Sequence, residues 1–260
     1  MKTAIIIPAR YGSTRFPGKP MALLKGKAMI HHVYDIARTA AATHAGATVH
    51  IATDDSRIAD FCREYSIPAL MTSPDCATGT DRVMDAASQL ETNPDFIINL
   101  QGDAPLTPPD FVSALIDTFV NNKEADIITP MTQLSWEELD QLRNNKKTTP
   151  FSGTTAVINN SGRALWFSKN IIPAIRKEDR STPLSPIYRH IGLYGYKRTS
   201  LEKYIALPPS HYETLEGLEQ LRALENGMTI QTVVVDYKGR PAMTGIDSPE
   251  DLARAEQLLS

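Results

Sequence analysis

The chain has 260 residues, 42% of them hydrophobic, and a formal net charge of −3. This length suits one large α/β domain or two small ones, and the charge gives no reason to expect a nucleic-acid partner. There is no apolar run long enough to span a bilayer and no secretory cleavage pattern, so we expect no membrane partner and a cytoplasmic protein. Two cysteines, Cys62 and Cys76, lack metal-ligand or disulfide-framework spacing, which favours reduced, packed thiols.

The first predicted element is a buried strand that leads into a basic loop. The apolar run at 4–7 is rich in β-branched residues and too short for a helix, so it predicts a central parallel strand. The loop after it lies at the carboxyl end of that strand, where open α/β sheets bind ligands. Its glycines allow backbone N–H groups to face phosphate oxygens, and its cations attract them. The loop therefore predicts a polyphosphate site built from Arg10, Gly12, Arg15, Gly18 and Lys19.

Two common phosphate-binding motifs are absent from this loop. It contains no G-x-x-x-x-G-K-[ST] sequence, which argues against a P-loop NTPase, and no G-x-G-x-x-G sequence, which gives dinucleotide binding no support.

Helical and strand patterns alternate over the next hundred residues. We predict helices at 28–42, 57–65, 81–90 and 108–121, and strands at 47–52, 69–71 and 96–100. This alternation favours an α/β fold with a doubly wound, mostly parallel, Rossmann-like sheet.

The alternation weakens after residue 126. We predict strands at 127–131, 154–158, 191–196 and 229–235, a polar stretch at 136–149, and helices at 213–225 and 249–259. In the helix at 213–225, Leu215, Leu218 and the leucines at 221 and 224 are expected to face the core. We interpret the chain as one domain, 1–260, with a small inserted mixed α/β subdomain at about 130–200 that closes over a ligand site or forms a dimer contact.

A series of short motifs follows along the chain: I-P-A-R-Y-G-S-T-R-F-P-G-K-P at 7–20, A-T-D-D at 52–55, S-P-D and T-G-T-D-R within 73–82, N-L-Q-G-D at 99–103, A-L-W-F-S-K at 164–169, Y-R-H-I-G-L-Y-G-Y at 188–196, L-E-Q-L-R at 218–222 and T-G-I-D-S-P-E-D-L at 244–252. In this order they resemble the motifs of the CMP-Kdo synthetases (3-deoxy-manno-octulosonate cytidylyltransferases), which activate an eight-carbon acidic sugar for lipopolysaccharide assembly. The resemblance implies a nucleotidyltransferase that binds CTP and an acidic 3-deoxy sugar and forms a homodimer. It also implies that the anomeric hydroxyl of the sugar attacks the α-phosphorus of CTP and pyrophosphate leaves.

Two aspartates are candidate metal ligands. Asp103 directly follows the predicted strand at 96–100 and so projects toward the basic loop. A carboxylate among cations and a polyanion is explained if Mg²⁺ lies between it and the phosphates. The residues alone leave Asp247 equally well explained as a neighbour of a helix N-cap. The resemblance implies that it is the second Mg²⁺ ligand.

The T-G-T-D-R segment opens a predicted helix. Its residues predict a helix start with Thr80 as the cap and Asp81 as an N-terminal carboxylate. The resemblance adds that Thr78 and Gly79 meet the cytosine edge and that Arg82 reaches the ribose or the acidic sugar. The implied CTP-binding residues are Ala9, Arg10, Ser13, Thr78, Gly79 and Arg82, and the implied catalytic residues are Arg15, Lys19 and Asp103.

A second group of residues is implied at the sugar. Tyr194 lies on the same side of a predicted strand as His190, although a lone histidine is more often structural. Glu219 and Gln220 are polar positions on a helix and are also explained as solvated. The resemblance implies that the sugar contacts Gln101, Lys169, His190, Tyr194, Glu219 and Gln220.

The chain departs from the family pattern at three places. Lys169 stands where the family usually has Arg, Ala104 replaces the Glu of Gln-Gly-Asp-Glu-Pro, and 151–155 reads F-S-G-T-T in place of Pro-Asn-x-Val-Lys. Because two of these departures lie where the sugar would bind, another ulosonic acid such as 8-amino-3,8-dideoxy-manno-octulosonate is an alternative substrate. A non-catalytic nucleotide-sugar-binding relative is a second alternative. A neutral sugar phosphate as acceptor would be expected with a Gly-Gly loop, which is missing.

Overall fold

The computed structural model describes residues 1–12, 16–242 and 245–259. Within these residues the strands are β1 (Thr3–Ala9), β2 (Leu23–Leu24), β3 (Lys27–Ala28), β4 (Ala47–Thr53), β5 (Ala69–Met71), β6 (Phe96–Asn99), β7 (Ile127–Ser135), β8 (Thr155–Ile158), β9 (Ala164–Ser168), β10 (Leu184–His190), β11 (Tyr194–Lys197) and β12 (Ile230–Val234). The helices are α1 (Met29–Ala42), α2 (Ser56–Glu64), α3 (Gly79–Ser88), α4 (Pro109–Asn121), α5 (Trp136–Asn145), α6 (Arg198–Ile205), α7 (His211–Glu216), α8 (Gln220–Glu225) and α9 (Pro249–Leu258), with a short 3-10 helix at Lys19–Met21. No helix among the described residues is both long and apolar enough to cross a membrane.

One sheet organises the fold, with strand order β5-β4-β1-β6-β11-β7-β10-β8-β9 and β12 paired with β7. Strands β5, β4, β1 and β6 are parallel neighbours, and only β9, β10 and β11 run against the rest of this described sheet. The predicted doubly wound, mostly parallel α/β sheet is therefore confirmed. Chain order reverses between β1 and β6, which is the position where such sheets bind ligands at the strand ends.

Strand β1 is buried on both faces, as its unbroken apolar run predicted. Ile5 and Ile7 pack in a cluster with side chains from α1, α2 and α4. Ala4 and Ile6 face the other way, into a cluster that includes residues of α3, α6 and α8. Because side chains alternate along a strand, helices on both faces require apolar residues at every position.

The region between residues 127 and 197 continues the same sheet. Strand β7 pairs with β11 and β10 along one edge and with β12 along the other. The polar stretch predicted from 136 onward forms helix α5, which begins with a capping box between Ser135 and Glu138. The strand predicted at 191–196 is shorter than expected, since residues 191–193 separate β10 from β11. The single-domain interpretation and the inserted subdomain remain predictions.

The single helix predicted at 213–225 is wrong. Helix α7 ends at Glu216, and its C-cap Gly217 has a φ of 62°, in the left-handed region that favours glycine at a helix C-terminus. The chain then turns before α8 begins. This break leaves Leu215 68% exposed, whereas Leu218 and Leu221 are buried as expected. The apolar pattern continues across this turn, so it does not indicate that the chain changes direction between α7 and α8.

We expect Gly195→Ala to lower the free energy of unfolding by about 1–3 kcal/mol, the usual cost of overpacking a core. A Cβ at Gly195 would lie 2.1 Å from Cζ of Phe96, so this buried ring, which is stacked on Phe119, or the strand itself would have to shift. Gly192→Ala is the matched control, because a Cβ there meets no atom within 4 Å. Denaturant unfolding of both variants checks this, and equal stability of the two would contradict the packing argument.

Candidate active site

A cleft of about 360 Å³ opens at the carboxyl ends of β1 and β6. Its walls come from the basic loop, the start of α3, the turn after β6 and the segment before α9. Most of the predicted site residues line it: Ala9, Arg10, Lys19, Thr78, Gly79, Arg82, Gln101, Asp103, Glu219 and Asp247. Ser13 and Arg15 lie outside the described residues. The fold thus brings together predicted site residues that are up to 238 positions apart in the sequence, as in Ala9 and Asp247.

Lys19 lies between the two predicted metal carboxylates. Its Nζ is 2.6 Å from Oδ2 of Asp103 and 3.2 Å from Oδ1 of Asp247. The lysine and Asp103 side chains are largely buried, whereas Asp247 is half exposed. The three groups therefore form one charged centre with two carboxylates and one ammonium.

A backbone hydrogen bond holds the two aspartates together. The N–H of Ile246 donates to the carbonyl of Asp103 at 2.9 Å, which brings the segment before α9 against the turn after β6. Ser248 supplies the N-cap of α9 by accepting from the N–H of Asp251. Asp247 is therefore the neighbour of the helix cap, as one of the two explanations predicted, and its carboxylate also accepts from Lys19.

The donor set of this centre fits a magnesium ion. Mg²⁺ prefers hard oxygen ligands and binds through one or two carboxylates, keeping its other positions for water and phosphate oxygens. Asp103 and Asp247 offer two carboxylates that already bracket one cationic group. Among the described residues no group of three or more His, Cys, Asp or Glu side chains is arranged to hold a metal, so phosphates would have to complete the coordination.

The basic loop differs in detail from its prediction. The N–H of Gly18 donates to the carbonyl of Tyr11 at 2.9 Å, and the N–H of Lys19 donates to the carbonyl of Phe16 at 3.2 Å. Both N–H groups close the loop, so the prediction that the Gly18 N–H is free to face phosphate is wrong. In the described part of the loop, the exposed Arg10 and the ammonium of Lys19 are the cationic groups at the cleft.

The start of α3 is capped by Thr78, and the prediction of Thr80 as the cap is wrong. The hydroxyl of Thr78 accepts from the N–H of Asp81, and the carboxylate of Asp81 accepts from Thr78 in return. Buried Arg82 donates to Asp54 at 3.0 Å and to Thr72 at 2.6 Å. Asp54 belongs to the A-T-D-D motif but was assigned no role from the sequence, although its position directly after β4 was a usable signal.

Hydrogen bonds connect the cleft to α8. Thr80 donates to Glu219 at 3.1 Å and accepts from Asn99, whose side chain in turn accepts from Gln101. Glu219 is open to solvent through the cleft, yet protein surrounds it closely enough that desolvation raises its pKa. Carboxyl groups with a perturbed pKa cluster in functional sites.

The remaining predicted sugar residues form a buried group beside the cleft. The ring of His190 is 5.5 Å from that of Tyr194, and the Tyr194 hydroxyl donates to Oε1 of Gln220 at 3.0 Å. Gln220 is 4% exposed, so the alternative of a solvated residue is wrong for this position. Its buried Nε2 has no hydrogen-bond partner among the described residues, which is unusual for a buried polar group.

Lys169 follows β9 and is half buried near His190. Burial, with a smaller contribution from the positive charge of Lys169, lowers the pKa of His190 to about 3. The hydroxyl of Thr129 donates to the carbonyl of Leu193, so His190 must donate its Nε2–H to Thr129. His190 is therefore a neutral ring of fixed tautomer.

We expect His190 to make the protein acid-sensitive. The unfolded chain takes up a proton on this ring below pH about 6.5, while the folded chain resists protonation down to pH about 3, so stability is lost as pH falls through that range. Between pH 7 and 5 the loss from this residue is about 2 kcal/mol. Denaturant unfolding should show a correspondingly smaller loss in His190→Gln, and an unchanged loss in the control His211→Gln, whose side chain is exposed. Equal losses in wild type and His190→Gln would show that His190 does not resist protonation.

Comparison with known proteins places this site in a family context. The sequence profile described as "Cytidylyltransferase" matches residues 4–230. The 3-deoxy-manno-octulosonate cytidylyltransferase of Maricaulis maris is 45% identical over 260 residues, which cover 100% of this chain and 98% of the relative. That of an Anaeromyxobacter species is 41% identical, with 100% and 97% covered. The solved structure of a CMP:2-keto-3-deoxy-manno-octonic acid synthetase complexed with CTP matches with a TM-score of 0.84 at 34% identity, covering 100% of this chain and 98% of that one.

Proposed function

The chain belongs to the cytidylyltransferase family and, within it, to the 3-deoxy-manno-octulosonate cytidylyltransferases, and from this premise we propose that it transfers CMP from CTP to the anomeric hydroxyl of Kdo. Pyrophosphate is the second product, and CMP-Kdo serves lipopolysaccharide assembly. The observation that carries the proposal is the charged centre of Lys19, Asp103 and Asp247 in a cleft at the carboxyl ends of β1 and β6. A nucleoside triphosphate needs such a mixed centre, because its phosphates attract cations and its metal attracts carboxylates.

Each wall of the cleft suits one part of the reactants. Lys19 and Arg10 attract the phosphates, and Lys19 stabilises the negative charge that grows as pyrophosphate departs. Thr78 and Gly79 offer backbone and hydroxyl groups, which suit the neutral edge of cytosine. Asp103 and Asp247 would hold Mg²⁺, which supplies charge neutralisation at the reacting phosphate when it is bound.

The acidic sugar fits the group beside the cleft. Lys169 provides a cation for its carboxylate, and Gln220 provides an unused buried donor for a hydroxyl. His190, which is neutral, adds polar contacts together with Tyr194 and Glu219. None of the three adds a second cation. The Glu219–Thr80–Asn99–Gln101 hydrogen-bond chain would then link the sugar to the nucleotide end of the cleft.

The relatives favour Kdo over the 8-amino ulosonic acid. Seven full-length relatives at 36–45% identity bear the name 3-deoxy-manno-octulosonate cytidylyltransferase, and the chain matches them despite Lys169 and the altered segment at 151–155. We also propose, on the family's pattern, a cytoplasmic homodimer with Mg²⁺ as cofactor.

Pyrophosphate release with CTP and a panel of ulosonic acids tests the substrate. We expect the highest kcat/KM with Kdo, a lower value with 8-amino-3,8-dideoxy-manno-octulosonate, and no release without a sugar. A wild-type preference for the 8-amino sugar, or no activity with Kdo, would overturn the sugar assignment and leave the CTP chemistry standing. No release with any of the sugars would remove the catalytic assignment as well.

A further inference from the structure

Lys146, just beyond α5, has its ammonium group inside a cage of backbone carbonyls. Its Nζ donates to the carbonyl oxygens of Lys169 at 2.5 Å, Ser152 at 2.6 Å, Gly153 at 3.0 Å and Pro150 at 3.2 Å. Three N–H bonds thus serve four acceptors, so at least one bond is shared. Removing the ammonium would leave four inward-facing carbonyls without this donor.

The cage joins two of the places where this sequence departs from the family pattern. Three of its carbonyls belong to the segment 150–153, which overlaps the altered F-S-G-T-T stretch. The fourth belongs to Lys169, which replaces the usual Arg. One side chain therefore ties the altered loop to the altered sugar-site cation.

The peptide of Lys169 is held from both sides. Its carbonyl accepts from Lys146, while its N–H donates to Oε2 of Glu216 at 2.8 Å. The other oxygen of Glu216 accepts from the hydroxyl of Ser168 at 2.8 Å. These contacts fix the backbone from which the Lys169 side chain extends, and they leave its ammonium unused.

The surroundings of the cage disfavour a positive charge on Lys146. Burial and the positive charges of Lys169 and Arg189 lower the pKa of Lys146, and only the negative charge of Glu216 opposes them. A charge placed beside two like charges needs compensation, and carbonyl dipoles provide it, as they do for dehydrated cations in ion sites.

We propose that Lys146 is a positioning residue: its ammonium fills a carbonyl cage that holds the peptide of Lys169, and thereby fixes the cation that receives the acidic sugar. The role at the sugar rests on the proposed function. The existence of the cage does not depend on the proposed function. It can be tested separately, because a small cation with N–H donors should bind there once the lysine side chain is removed.

Thermal unfolding of Lys146→Ala tests the cage without any assay of activity. We expect ammonium chloride at about 0.1 M to raise the Tm of this variant by about 2–4 °C relative to tetramethylammonium chloride at the same concentration. Tetramethylammonium matches the ionic strength but has no N–H donor. Wild type and Lys147→Ala should show no such difference, because the Lys147 side chain is exposed and, within the described part of the chain, donates to the side chain of Asn144 and not to the cage. Absence of the ammonium effect in Lys146→Ala would overturn the cage.

Steady-state kinetics tests the positioning role. In Lys146→Ala we expect the KM for Kdo to rise about 10- to 100-fold, as for a misplaced substrate contact, while the KM for CTP changes less than about twofold. Ammonium should restore part of the loss. Lys146→Met retains the side-chain stem but blocks the cage, so it should show the same KM split without rescue, and it carries the test if the alanine variant does not fold. Equal rises in both KM values, or no rise, would contradict positioning, whereas a wild type inactive on Kdo would instead contradict the proposed function.

Discussion

Asp103→Asn should reduce turnover to below about a tenth of the wild-type value while the protein remains folded, because a neutral amide is a poor ligand for Mg²⁺ and a weaker partner for Lys19. Asp103 lines the cleft, with its Oδ2 2.6 Å from Nζ of Lys19. The loss should be accompanied by a higher Mg²⁺ concentration for half-maximal activity. Asp60→Asn is the matched control, since this exposed aspartate pairs with Arg63 at the surface of α2.

Two outcomes would revise the role of Asp103. Retention of more than about a tenth of the turnover would remove it from the metal site. Alternatively, Asp103 could act only by orienting Lys19, in which case a double-mutant cycle separates the roles. The double variant Asp103→Asn with Lys19→Ala would then lose no more activity than Lys19→Ala alone. The metal assignment predicts a further loss and the shifted Mg²⁺ dependence.

Lys19→Ala should lower kcat/KM by about 30- to 1,000-fold, which corresponds to about 2–4 kcal/mol of lost transition-state stabilisation from one preorganised charge. Lys19 also separates the carboxylates of Asp103 and Asp247, so its removal leaves two like charges close together. The loss should appear in turnover with CTP whichever ulosonic acid is supplied. Lys203→Ala, on the exposed side of α6, should have no effect.

The sugar dependence of the Lys19 variant is the discriminating readout. A rise in the KM for Kdo alone, with kcat unchanged, would move Lys19 from the phosphates to the sugar. Saturating Mg²⁺ distinguishes a second possibility, because a metal ion can relieve the repulsion between Asp103 and Asp247 but cannot replace a catalytic ammonium. We therefore expect the loss to persist at high Mg²⁺, and full recovery would limit Lys19 to keeping the carboxylates apart.

The parallel half of the fold was predictable because its signals are local. Continuous apolar runs such as 4–7 and 96–100 indicate strands buried on both faces, and the amphipathic segments between them indicate crossover helices. The later elements were less predictable. The break at Gly217 depends on a backbone angle that an apolar repeat does not encode, and α5 was overlooked although Ser135 and Glu138 form a capping box visible in the sequence.

The position of the site was predictable and its internal contacts were not. Residues that follow parallel strands share one edge of the sheet, which is why Arg10 and Asp103 could be placed together from sequence. The partner of Thr80 is Glu219, 139 residues away, and the carbonyl of Lys169 meets Lys146 across a loop. Such pairs depend on how separate elements pack, and no periodicity or spacing indicates them.

The most direct test of the central claim follows the α-phosphate. With CTP labelled with ³²P at the α-phosphate and with unlabelled Kdo, we expect the label to pass into a sugar nucleotide at the same rate as unlabelled pyrophosphate appears, and only when Kdo is present. Attack at the α-phosphorus requires this partition, because the bond between the α- and β-phosphates is the one that breaks. Label that stays in CDP, or pyrophosphate release that does not depend on Kdo, would contradict the transfer of CMP to the sugar in this cleft.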